Sequence, residues 1–300
     1  MMTLDSLIDQ YELEHDVKSS TIENYRVCKN VLEKSLGKAA LLSDLTPENI
    51  NRLIVWLKQN GRQKHTLQSR RRGLLVLARY AKRKRLIKFD FDLVVLVRCP
   101  ETPKDVWTPE QMRELLDGVS KIPDCRLPET HIKRRLYWRS IILAAWDTAL
   151  RQSDLRSLKL EDFHSNHFTI IQTKTGVGHR GMIRPETLEA IEATFEGPAE
   201  NRERIWPAHR RKWFCMDFRK IVEQTSLKGT FKKIRRSSIT DVELNAPGSG
   251  FIHAGHTNPN TTFKWYIPRG SLVKDRLLTS VLENGIGKET KPSFRKSNAS

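Results

Sequence analysis

The stretch Gly255-His256-Thr257-Asn258-Pro259-Asn260-Thr261-Thr262-Phe263-Lys264-Trp265-Tyr266 decides how the rest of this chain is read. A Gly-His pair is followed, ten residues after the His, by a lone Tyr in a basic, helix-like segment. A Tyr hydroxyl, with an ordinary pKa near ~10, is a poor nucleophile unless neighbouring positive groups stabilise charge around it. The chain supplies candidates upstream. Arg151 lies in Ala149-Leu150-Arg151-Gln152-Ser153-Asp154-Leu155, Lys174 in Thr173-Lys174-Thr175-Gly176, and Arg235 in Lys232-Lys233-Ile234-Arg235-Arg236. Taken in that order, the set suits attack on a phosphodiester.

Bulk properties agree. The 300 residues suffice for one large domain or two ordinary ones, and 38% apolar with 29% charged residues describes a globular chain. No apolar run approaches the ~20 residues needed to span a membrane. The segment Met1-Met2-Thr3-Leu4-Asp5-Ser6 carries no secretory pattern. Cys28, Cys99, Cys125 and Cys215 are far apart and form no C-x-x-C pair, so a reducing, cytoplasmic setting is expected. The net charge of +18 and pI of ≈ 9.9 favour a polyanionic partner. Basic residues also cluster, in Lys64 to Arg72, Lys82 to Arg85, His209 to Lys212 and Lys232 to Arg236.

Apolar periodicity predicts an all-helical opening over residues 1–95. Leu4, Leu7, Ile8 and Tyr11 recur at helical spacing, and Ser20-Thr21 cap a second run. Thr46-Pro47-Glu48 is a helix start that Asn60-Gly61 ends, and a fourth helix is expected from Thr66 to Arg83. Residues 88–107 change character and read as extended, with an interdomain linker at 96–107. Thr108-Pro109-Glu110-Gln111 opens a second domain with a capping box. A long apolar helix, Arg134 to Ala149, is its expected core. Strands at 168–171 and 181–184 flank the turn carrying Lys174, and helices follow from Glu186. The spacing of His164 and His167 suggests a metal pair, but nothing nearby completes a ligand set, so both read as loop residues. Gly248-Ser249-Gly250 reads as a helix-breaking turn.

These boxes resemble those of the tyrosine recombinase (phage integrase) family over residues 3–284. Ala149 to Asp162 looks like the first arginine box, with Ala149 for the usual Gly and Asp154 for Glu. Thr173 to Gly176 is similar to the β-hairpin lysine segment. Lys232 to Ser237 sits where the family has His-x-x-Arg, and Gly255 to Tyr266 carries the Gly-His and Tyr at the family's spacing. The resemblance implies a mainly α protein with a small β-hairpin or sheet, built as a two-domain clamp. Its parts would be a helical SAM-like core-binding domain (1–95) and a mixed α/β catalytic domain (108–284) ending in an exchange helix at 271–282. A disordered tail is expected over 285–300.

The resemblance also implies roles. Arg151 and Arg235 would bind the scissile phosphate, Tyr266 would attack it, Lys174 would protonate the departing 5′-oxygen, and His256 would hydrogen-bond the phosphate. Asp154 would sit behind these groups and hold them. Lys232 replaces the family's His; as an ammonium it would donate to the phosphate rather than act as a base. Neither a metal nor ATP is implied. Lys64, Arg70, Arg71, Arg72 and Lys82 are expected to touch DNA from the fourth helix. Implied partners are double-stranded DNA and a homotetramer on two recombination sites, with room for accessory DNA-bending proteins in a prokaryotic nucleoid. No arm-binding domain is expected before the helical one. A type IB topoisomerase-like enzyme and a non-catalytic DNA-binding protein are the alternatives.

Overall fold

The computed structural model describes residues 2–100, 105–127, 131–195, 203–206 and 211–267. The chain divides into two units, Met1–Thr102 and Pro103–Ser300. The expected exchange helix at 271–282 and the tail at 285–300 lie outside the described residues.

The first unit is built from α1 (Leu4–Glu14), α2 (Ser19–Leu36), α3 (Pro47–Gln59) and α4 (Lys64–Arg83). Helix α3 starts as its sequence dictates: the Thr46 hydroxyl accepts from the Asn49 N–H at 3.3 Å and Pro47 occupies the first helical position. Ile50, Leu53, Ile54 and Leu57 then bury one stripe. Helix α2 begins from Lys18 without a side-chain cap, so Ser20 and Thr21 lie inside its first turn rather than capping it. Helix α4 begins at Lys64, two residues before the expected Thr66. Gly73 lets α4 approach α2 closely, since a Cβ there would stand 2.5 Å from Cys28 Sγ. Residues 88–97 do not run free. Phe89, Val94 and Val97 are buried in this unit's core, and Asn51 bonds the Leu93 carbonyl and the Val95 N–H.

The second unit packs around α6 (Arg134–Thr148), whose Tyr137, Trp138, Ile141 and Ile142 are fully buried. It is preceded by α5 (Pro109–Lys121), which has the capping box expected of Thr108 and Gln111. After α7 (Gln152–Leu155) come three antiparallel strands in the order β1 (Phe163–His164), β2 (His167–Ile171), β3 (Gly178–Met182). His164 pairs with His167 across a tight hairpin, so both lie in strands rather than in a loop. Strand β3 begins at Gly178, opposite Ile171, three residues earlier than sequence alone suggests. The turn before it closes at Gly176, whose φ of +68° suits glycine. Helices α8 (Pro185–Glu192), α9 (Arg211–Val222), α10 (Lys232–Asn245), α11 (Gly250–His253) and α12 (Pro259–Trp265) follow. The expected Gly248-Ser249-Gly250 turn separates α10 from α11.

Packing and electrostatics join α6 to α9. The ring centroid of Trp138 lies 4.8 Å from that of Phe214, and Phe214 lies 4.9 Å from Phe231. Beside them Asp217 accepts from both ends of the buried Arg134 guanidinium and from Trp138 Nε1 at 2.6 Å. A buried carboxylate is tolerated there because every partner is a donor. Among the described residues no helix is long and apolar enough to cross a membrane.

Candidate active site

Four segments of the second unit converge on one pocket. Helix α6 ends on Ala149, which takes the left-handed conformation (φ +46°) and turns the chain so that Arg151 precedes α7. A left-handed residue at a helix end favours glycine, and here Ala149 occupies that backbone. Arg151 donates to Gln172 Oε1 at 2.6 Å and lies 3.7 Å from the carboxylate of the wholly buried Asp154. Asp154 also accepts from the Thr173 N–H at 2.9 Å. That bond ties the first box to the β2–β3 turn, where Lys174 sits exposed at the pocket wall.

Helix α10 places Lys232, Arg235 and Arg236 three and four residues apart, hence on one face. Arg235 is 6% exposed and makes four hydrogen bonds. Its Nη1 donates to the Ala149 carbonyl and its Nη2 to the Ala254 carbonyl (3.1 Å) and His256 Nε2 (3.0 Å); its Nε donates to the Tyr266 hydroxyl at 3.2 Å. Burial pulls its pKa below the ordinary guanidinium value, and the adjacent Tyr266 opposes the shift.

His256 is nearly buried. Burial, then the charges of Arg235 and Arg151, lowers its pKa to about 4. An arginine can only donate, so Nε2 must be the acceptor; neutral His256 therefore carries its proton on Nδ1 and donates it to Thr262 Oγ1 at 2.7 Å. His253 is neutralised in the same way, with burial the main cause and a pKa of about 4. Tyr266 follows α12, whose start is set by Asn258 and Pro259, and Thr240 holds its carbonyl at 3.0 Å.

The pocket has a volume of ≈ 550 Å³. Arg151, Arg156, Lys174, Lys232, Arg235 and Arg236 line it together with Gln152, Ser153 and Tyr266, and among the described residues no carboxylate is in its walls. Five residues singled out from the sequence (Arg151, Lys174, Lys232, Arg235 and Tyr266) thus meet in one place. His256 and Asp154 stand behind it, against Arg235 and Arg151 respectively. Arg156 and Arg236 were not singled out as site residues, although each lies inside one of the two arginine boxes. Among the described residues no cluster of three His, Cys, Asp or Glu is placed to hold a metal ion.

In the first unit, Lys64 and Arg72 of α4 are exposed. Arg70 donates to Asn24 Oδ1 at 2.9 Å, Arg71 to the Val94 and Val95 carbonyls, and Lys82 to the Phe89 carbonyl at 2.8 Å. These three candidate DNA contacts are therefore partly occupied within their own unit.

Residues 3–92 match the phage integrase SAM-like domain. A lambda integrase dimer bound to a COC′ core site superposes with a TM-score of 0.70 at 19% identity, covering 90% of this chain and 79% of that one. The Tn1549 transposon integrase in complex with circular intermediate DNA gives 0.69 at 16%, over 93% of this chain and 99% of that one. A lambda integrase tetramer bound to a Holliday junction gives 0.67 at 19%, over 86% and 78%. The chain has the tyrosine recombinase fold. No curated protein matches it in sequence.

Proposed function

We propose that this protein is a site-specific recombinase that cuts and rejoins duplex DNA through a covalent bond between Tyr266 and a 3′-phosphate. One observation carries the reading: Tyr266 lines a pocket that, among the described residues, is walled by six cations and no carboxylate. Such a pocket stabilises negative charge, and negative charge grows on the phosphoryl oxygens as the pentavalent transition state forms.

In this reading Tyr266 gives up its proton to solvent water and its oxygen attacks phosphorus, while the bond to the 5′-oxygen breaks. Arg151 and Arg235 compensate the non-bridging oxygens, and Lys174 hands a proton to the leaving oxygen. A phosphotyrosyl ester replaces the phosphodiester, so the bond energy is retained and the 5′-hydroxyl of a partner strand reverses the step. Lys232, at the head of α10, acts as a further donor to the phosphate. His256 stays neutral and orients Arg235. The lambda integrase tetramer on a Holliday junction suggests four protomers exchanging strands in two rounds. Lys64 and Arg72 are the first-unit cations best placed to meet the DNA backbone, given a net charge of +18.

The test uses nicked duplexes drawn from DNA flanking the gene, incubated with wild type and Tyr266→Phe. A detergent-resistant adduct from wild type alone, mapped to Tyr266, is the expected result. Duplex binding without an adduct on any substrate would reduce the protein to a DNA-binding one.

A further inference from the structure

Gln172 belongs to none of the boxes, yet three segments of the site converge on it. It follows β2 and is fully buried, a place where an uncharged amide must satisfy all its hydrogen-bonding groups within the protein. Its Oε1 accepts from Arg151 at 2.6 Å and from the Thr175 hydroxyl at 3.0 Å. Its Nε2 donates to the carbonyls of Ala254 at 3.4 Å and Gly255 at 3.3 Å. The backbone of the same residue closes the lysine turn from both sides: its N–H donates to the Val177 carbonyl at 2.9 Å, and its carbonyl accepts from the Gly176 N–H at 2.8 Å. The Ala254 carbonyl also receives Arg235. One carboxamide therefore touches the Arg151 side chain, the turn bearing Lys174 and the loop leading to His256.

The chemistry of the contacts is selective. Arg151 and Thr175 require an acceptor, while the two carbonyls require a donor, and only a primary amide offers both on one planar group. A carboxylate of the same shape would keep Arg151 and repel Ala254 and Gly255. An apolar side chain would fill the volume, leave the Gly255 carbonyl without its donor and take from Arg151 the acceptor it meets at 2.6 Å.

We propose that Gln172 is the positioning residue of this site, acting through Arg151: its carboxamide fixes the guanidinium in register with the Lys174 turn and the 254–256 loop. This rests on the recombinase reading above. The geometric demand on phosphoryl transfer makes the consequence measurable, because a displacement near 1 Å in a charge-compensating group costs on the order of 10²-fold in rate.

The experiment compares the full chain with Gln172→Met, Arg151→Ala and the double variant. Each reacts in single turnover with a duplex whose scissile phosphate carries a 5′-bridging sulfur. That leaving group needs no proton and returns poorly, so even slow variants accumulate adduct and a disturbance of Lys174 alone drops out. Gln172→Met is expected to slow adduct formation by on the order of 10²-fold with duplex affinity held within a few-fold. Adding it to Arg151→Ala is expected to slow that variant by less than threefold, since one residue acting through another gives non-additive losses. Losses that multiply in the double variant would mark a general structural role and overturn the proposal, as would a Gln172→Met rate within about threefold of wild type. Should Gln172→Met fail to fold, Gln172→Asn keeps the polarity but falls one methylene short of Arg151. It must then show the same non-additivity, and additive losses would again overturn the idea. A wild type that forms no adduct on this substrate defeats the recombinase reading itself, and the proposal with it.

Discussion

Replacing Gly255 by alanine tests how the Gly-His loop is held. Gly255 has a φ of +60°, and a Cβ built there would stand 2.3 Å from Gln172 Nε2, 2.6 Å from His179 Nδ1 and 2.8 Å from His179 Cγ. Neither neighbour can swing aside: Gln172 is fully buried and hydrogen-bonded on every side, and His179 is 7% exposed. Two costs combine. The left-handed backbone costs a non-glycine residue about 1–2 kcal/mol, and overpacking a filled site costs about 1–3 kcal/mol, so Gly255→Ala should destabilise the second unit by roughly 2–5 kcal/mol. Gly248→Ala separates the two costs, because Gly248 has a φ of +87° but nothing within 4 Å of its virtual Cβ; it should lose only about 1–2 kcal/mol. Urea titration followed by tryptophan fluorescence is the assay, since Trp56 is the single tryptophan of the first unit and the other six lie beyond residue 102. If Gly255→Ala costs no more than Gly248→Ala, the packing argument for this loop is wrong.

Three further outcomes are expected. His253 and His256 both titrate near about 4 in the folded chain against an ordinary value of about 6.5. Neutral burial therefore contributes stability that is fully present above pH 6.5 and is lost as pH falls toward 4, with a slope of up to about 1.4 kcal/mol per pH unit for each histidine. Urea midpoints of the second unit across that window check it, and a flat profile would contradict the assigned burial. Asp217→Ala strands the Arg134 guanidinium, whose side chain is 9% exposed, and should cost about 3–5 kcal/mol in the same titration. Lys174→Ala should lose most adduct formation on an ordinary phosphodiester and regain it on the bridging-sulfur duplex; an equal defect on both substrates would remove the lysine from the role of proton donor.

What could be read in advance follows the range of the interactions involved. Thr46-Pro47 and Thr108 with Gln111 announce helices because a cap is completed within three residues. The starts of α2 and α4 were displaced because Lys18 and Gln63 provide no side-chain cap, leaving nothing local to mark them. The site behaves likewise. Arg151, Lys174, Arg235 and Tyr266 are legible because their order and spacing are a property of the chain alone. Gln172 is silent in sequence, because its meaning lies in bonds to carbonyls 82 and 83 positions away. The charges of Arg70, Arg71 and Lys82 were visible, but not the backbone and side-chain acceptors that occupy them.

The donors of Arg235 set how the site waits for its substrate. A guanidinium carries five N–H groups. Here two on Nη2 go to Ala254 and His256, one on Nη1 to Ala149, and the Nε–H to Tyr266, which leaves a single N–H uncommitted. Three of these partners belong to the fold, so they hold the group against the desolvation that burial imposes. The fourth is Tyr266, the proposed nucleophile. A phosphate that takes two hydrogen bonds from Arg235 must displace the Tyr266 hydroxyl from Nε, freeing the oxygen at the moment an electrophile arrives beside it. Before that, the same contact ties up the tyrosine. On this count Arg235→Lys is a severe change despite conserving charge: an ammonium has three donors, too few to hold Ala149, Ala254 and His256 and still reach the phosphate. Arg235→Lys should therefore bind duplex at near wild-type strength yet form adduct at least ~10²-fold more slowly, matching the loss of one preorganised oxyanion donor. A rate within tenfold of wild type would show that the forked donor geometry of Arg235 is dispensable for this site.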